Sequence, residues 1–130
     1  MSCVFPIYTE ECLSKENVFN FVKELKGQIG QIGEFSQGVI TKDKATIWIY
    51  YRGSDIKSEV STIEQVKKLF DIDINTEVAV EIGHGDYSEK LAANFCINFL
   101  ELYPKSIVRY GGFLRLNEVK KWYDAPIIEY

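Results

Sequence analysis

The chain has 130 residues, 46% hydrophobic and 14% aromatic, which fits a single domain over residues 1–130 that buries roughly two-thirds of its unfolded surface. A net charge of -4 argues against a nucleic-acid backbone as the main partner, since that requires a concentrated basic face, and suits a basic protein surface better. Three cysteines at unrelated spacings, Cys3, Cys12 and Cys96, suggest neither a disulfide framework nor a zinc site, and with no signal-like start and no run of about 18 apolar residues, a soluble cytosolic protein with no membrane partner is expected.

Cys3 to Tyr8 is short, apolar and aromatic and reads as a strand, with Pro6 confining it to an edge or a locally unpaired position. Ser14 can cap a following helix in which Val18, Phe21, Val22 and Leu25 recur at helical spacing, with Gly27 as its C-cap. Gly30 and Gly33 then indicate a loose connection. Phe35 to Thr41 and Ala45 to Arg52 form a hairpin turning at Lys42 and Asp43. In its second arm Ile47, Ile49 and Tyr51 alternate with Thr46, Trp48 and Tyr50, so the face opposite the isoleucines carries Trp48 and Tyr50 and leads to Arg52.

Ser61 and Glu64 have capping-box spacing ahead of a short helix from Thr62 to Phe70. Val78, Val80 and Ile82 alternate with Glu77, Ala79 and Glu81, giving a half-buried strand with its carboxylates turned from the core. Apolar positions cover much of the circumference of a helix from Ser88 to Tyr103, which Pro104 ends. Ser106 to Tyr110 returns as a strand, Leu114 to Tyr123 can form a last helix, and Pro126 to Tyr130 an extended tail. The expected class is α/β (α+β): a mixed sheet of about five strands with three helices in the order β-α-β-β-α-β-α-β. Its first six elements match the split β-α-β arrangement of ferredoxin-like domains.

Four features could carry function. Gly83, Gly85 and Ser88 follow a strand and open a helix, the setting of a dinucleotide fingerprint. Asp86, however, puts a carboxylate where a pyrophosphate would approach, and Arg109 and Tyr110 stand where an acidic ribose ligand belongs, so a tight turn is the better reading and no cofactor is expected. His84, the one histidine, with Asp86 beside it could act as an oriented general base, but it lacks the further groups that catalysis or a metal site needs. Asp71, Asp73 and Glu77 with Asn75 form an acidic loop that lacks the glycine and bidentate glutamate of a calcium site; joined to Glu81 it would make a patch that steers a cationic protein. Trp48, Tyr50 and Arg52, with Phe35 and Val39 across the hairpin, are residue types that dominate interface energetics, unless helices cover that face as well.

The run Gly83-His84-Gly85-Asp86-Tyr87-Ser88-Glu89-Lys90-Leu91-Ala92, continuing through Phe99-Leu100-Glu101-Leu102-Tyr103-Pro104 to Ile107-Val108 and Gly111-Gly112, resembles the C-terminal half of small bacterial immunity proteins. These accompany polymorphic or contact-dependent growth inhibition toxins. The resemblance implies a cytosolic, non-enzymatic protein that binds one cognate toxin domain and occludes its active site. A nuclease toxin with a basic groove would suit an acidic partner with aromatic anchors. Expected contacts are Trp48, Tyr50, Arg52, Asp71, Asp73, Glu77 and Glu81, with His84 and Asp86 as a second option. The rival readings are a small enzyme using the His84/Asp86 turn, which requires a concave pocket beside it, and a self-associating structural or regulatory module.

Overall fold

The computed structural model describes residues 3–32, 35–54, 60–85 and 87–125. Along them run strand β1 (Cys3–Thr9), helix α1 (Lys15–Glu24), strands β2 (Gln28–Ile32), β3 (Phe35–Lys42) and β4 (Ala45–Gly53), and helix α2 (Val60–Phe70). Strand β5 (Thr76–Ile82), helix α3 (Ser88–Leu102), strands β6 (Ser106–Arg109) and β7 (Phe113–Leu114), and helix α4 (Leu116–Asp124) complete the order. The tail expected from Pro126 to Tyr130 lies outside the described residues.

The class is α+β, and one sheet holds all seven strands in the order β2-β3-β4-β5-β1-β6-β7, every neighbouring pair antiparallel. This corrects the expectation of about five strands in a mixed sheet with three helices. The ferredoxin-like order fails as well, because it would seat β1 between β4 and β5, whereas β5 pairs with both β4 and β1. The cause is β2. Gly30 and Gly33 disguise it as a loop, yet Gln28–Ile32 pairs along its length with β3, so β2 to β5 form a sequential antiparallel meander and β1 is displaced to its far side.

Each face of the sheet has its own core. On the first, α1, α3 and α4 cover Phe5, Ile7, Ile47, Ile49, Val78, Val80 and Val108. Phe21 of α1 meets Phe95 and Phe99 of α3 edge-on, at 5.4 and 5.7 Å between ring centroids. Burial of Cys96 in α3 pushes its thiol far up, so it packs as a small hydrophobe. On the second face α2 covers only one end, where Tyr8, Val66, Ile72, Ile74 and Ile107 cluster. β1 is therefore apolar in both directions.

Local chemistry explains the ends of these elements. Ser14 and Asn17 form a reciprocal capping box at α1, with N–H···O distances of 2.9 and 3.0 Å. At the other end Lys26, not Gly27, takes the left-handed conformation with φ 65. Gly27 is required for closeness: a Cβ there would lie 2.5 Å from Val22 Cγ1. The capping box expected at Ser61 does not mark the start of α2, which begins at Val60 and holds Ser61 within its first turn. Pro6 lies beyond the last pairing of β1 with β6, at Ile7, and so among the described residues has a neighbour strand on the β5 side alone. Among the described residues no helix is long and apolar enough to cross a membrane.

Candidate functional site

Strand alternation builds the candidate surface. In β4, Ile47 and Ile49 point into the main core, so Trp48 and Tyr50 stand on the opposite face, half-buried. Pairing places Val39 of β3 and Glu81 of β5 on either side of Trp48, with Val4 of β1 next to Glu81. One row of this face thus reads Val39, Trp48, Glu81, Val4. The adjacent row reads Tyr50, Ala79, Pro6. Among the described residues α2 is the helix on this side, and it packs over Tyr8 and Ile107 instead. Among the described residues no helix covers this face over β3, β4 and the C-terminal half of β5, and Phe35 at its margin is 82% exposed.

The aromatic pair is held in place. Tyr50 Oη donates to Glu81 Oε1 at 2.5 Å, a diagonal contact across the strands. Partial burial and then the Glu81 carboxylate push the Tyr50 hydroxyl up to about 12, with Arg52 close enough to oppose the shift. Arg52 itself is exposed, beside the register shift between Tyr51 and Gly53. Trp48 lies against Gly83, where a Cβ would stand 3.2 Å from its ring and 2.6 Å from the Thr46 carbonyl. The glycine leaves the indole its resting place.

The other predicted residues fall elsewhere. Glu77 opposes Gly53 and is half-buried, four residues along β5 from Glu81, a separation of roughly 13 Å in a strand. Asp71 and Asp73 belong to the loop beyond α2, ahead of the N-terminal end of β5, so they do not join Glu81 in one patch. Lys67 Nζ reaches both, at 2.9 and 3.1 Å, and its ammonium holds the Asp71 carboxyl below the usual range. Asp73 N–H donates to Glu10 Oε1, and Asn75 Nδ2 to the Glu10 carbonyl, so this loop is tied down by its own contacts. The acidic steering surface expected from these residues is split between two ends of a strand.

At the glycine turn, His84 is exposed and Asp86 lies outside the described residues. A Cβ on Gly85 would fall 1.5 Å from the Lys44 carbonyl oxygen, and Gly83 N–H donates to the Thr46 carbonyl at 2.9 Å. The β3–β4 hairpin backbone therefore fills the concavity that a pyrophosphate would need. Ser88 joins this packing, its Oγ accepting the Thr46 N–H at 3.0 Å. A cleft of about 300 Å³ lies nearby between Lys42, Asp43, Tyr87, Lys90 and Asn94, but His84 does not line it. Lys90 Nζ is engaged by the Tyr123 carbonyl at 2.6 Å. Among the described residues no group of three or more His, Cys, Asp or Glu could hold a metal ion.

Sequence reading missed Val4 and Gly83 as parts of the open face. The alternation of Val4, Pro6 and Tyr8 carries the signal for the first, whereas the second depends on a contact between strands. No family model, curated protein or solved structure matches this chain.

Proposed function

We propose that the chain is an immunity-type protein that binds one cognate bacterial toxin domain and occludes its active site, docking through the open face of the sheet. One observation carries the reading: Trp48 and Tyr50 stand side by side on an uncovered antiparallel surface, fixed by Gly83 and Glu81, with Arg52 at the rim. Rigid amphipathic rings give contact area at small entropic cost, and Trp, Tyr and Arg are the residues that dominate such interfaces. The resemblance of Gly83 to Gly112 to immunity proteins supports the same class. Its partner would be a protein rather than a nucleic acid or a membrane, with a basic nuclease groove suited to Glu81 and the overall charge of -4. The reading puts it in the cytoplasm, where the exposed thiols of Cys3 and Cys12 stay reduced.

The test is co-expression with the variable C-terminal domain encoded by the adjacent upstream reading frame. A stoichiometric complex in which the toxic activity is silenced is the expected result. Separate elution of the two proteins with toxicity intact would overturn the proposal.

A further inference from the structure

On the helical face of the sheet, a cleft of about 340 Å³ lies where the ends of α1 and β3 meet α3. Its floor is hydrocarbon. Leu25, Ile40, Leu91 and Phe95 supply it, all part of the main core or packed against it, and Phe95 is fixed by Phe21 and Phe99 at 5.4 and 6.2 Å between ring centroids. Two lysines flank this floor. Lys26 holds the left-handed position after α1, its N–H donating to the Lys23 carbonyl at 2.9 Å, and Lys42 ends β3, paired with Ala45 across the hairpin. Among the described residues ion pairs engage Lys67, Lys105 and Lys120, whereas the ammonium groups of Lys26 and Lys42 have no partner. No carboxylate lines the cleft among those residues.

We propose that this cleft binds an anionic amphiphile, a carboxylate bearing a medium-length aliphatic chain, with the chain over Leu91 and Phe95 and the carboxylate held by Lys26 and Lys42. Charge favours it: on a chain of net charge -4, two unpaired cations over an uncharged floor draw an anion to this spot. Asn94, exposed on the cleft wall, adds an amide donor. A nucleotide fits less well, because the cations are lysines, point charges without the guanidinium fork that grips phosphate, and the one ring, Phe95, is 1% exposed and cannot stack on a base. Ligand cavities span roughly 300–1,000 Å³, so a cleft at the lower end takes a short chain rather than a long one. The adjoining cleft at Tyr87 carries Asp43 and a Lys90 already engaged by Tyr123, which suits an anion less. Trp48 stands on the other side of the sheet, so this site does not depend on whether that face meets a toxin.

The test is titration of the full chain with sodium decanoate below its micelle concentration, followed by calorimetry and by the methyl resonances of Ile40 and Leu91. Saturable one-to-one binding is expected, with shifts at those methyls and none at Ile72 in the cluster on the other face. Octanoate should bind roughly 15-fold more weakly, about 4-fold for each buried CH₂ removed. Lys26→Gln combined with Lys42→Gln should weaken decanoate at least ~10-fold and leave decanol unchanged. Both lysines are exposed, so the double variant should keep its unfolding midpoint, and Lys68→Gln, exposed on α2, should alter neither ligand. Absence of saturable binding, equal affinity for decanol and decanoate, or a double variant that binds like the parent would overturn the inference. Penta-glutamate binding as tightly as decanoate would overturn it as well, because the lysines would then be attracting charge alone, as for an acidic protein segment.

Discussion

Tyr50 and Glu81, thirty-one residues apart in sequence, are joined by a 2.5 Å hydrogen bond from the phenol to the carboxylate across β4 and β5. The bond ties the open face's acid to one of its aromatics. The carboxylate is thereby held in a fixed direction beside Trp48, instead of sweeping through solvent. A partner docking on this face, as proposed, would meet a surface whose polar and aromatic groups are already in place.

This pairing predicts an alkaline limit. The Tyr50 hydroxyl, ordinarily near 10, is raised to about 12 by burial and by Glu81, and Tyr110 is raised to about 12 by burial and by Glu89. A raised folded-state pKa gives stability that is fully present below the unfolded value and lost as pH rises through the folded one. Stability should therefore fall between pH 10 and pH 12. Denaturant midpoints across that range should decline, and Tyr50→Phe should decline less steeply. Ultraviolet titration of Glu81→Gln should show one tyrosine ionising earlier than in the parent.

Close packing of the glycine turn predicts a steep cost at Gly85. A methyl there would collide with the Lys44 carbonyl at 1.5 Å, a backbone atom that cannot rotate aside. Gly85→Ala should lose about 3 kcal/mol or more by urea unfolding. Gly111→Ala, with open space around it but φ 67, should lose only about 1 kcal/mol. Equal losses at both sites would contradict the packing explanation.

Ser88 offers a hydrogen-bond test of the same junction. Its buried Oγ accepts the Thr46 N–H, and Ser88→Ala leaves that amide without this acceptor. A loss of about 1–3 kcal/mol is expected by chemical denaturation. Hydrogen exchange at the Thr46 amide should accelerate in the variant.

Docking through the open face predicts unequal roles for its residues. Trp48→Ala should weaken the toxin complex by about 2 kcal/mol, roughly 30-fold, mainly through faster dissociation. Glu81→Lys should slow association and flatten its dependence on salt. Asp73→Asn should do neither, because that carboxylate lies at the far end of β5 beside Lys67. Stopped-flow binding of the three variants separates these effects.

Much of this surface was legible in the chain. The alternation of Ile47 and Ile49 with Trp48 and Tyr50 gave both faces of β4, and that of Val78 and Val80 with Glu77 and Glu81 gave both faces of β5. What local pattern cannot carry is which strands become neighbours, since that depends on pairings between distant segments. Hence Glu81 could not be set beside Trp48, nor Asp73 kept away from it, without the register. β2 escaped notice because its glycine-containing run has little propensity of its own and is held by β3. Ser61 misled because serine and glutamate three apart also occur inside a first turn.

The chain's two tryptophans occupy opposite sides of the sheet and have different surroundings. Trp122 stacks on Tyr110 at 4.6 Å and donates its indole N–H to Glu89 at 2.9 Å, so its emission tracks the integrity of the α3–α4 clasp. Trp48 rests half-covered over Gly83 and senses whatever settles upon it. Fluorescence from variants that retain one indole each would report folding and complex formation as independent optical channels, with no dye attached.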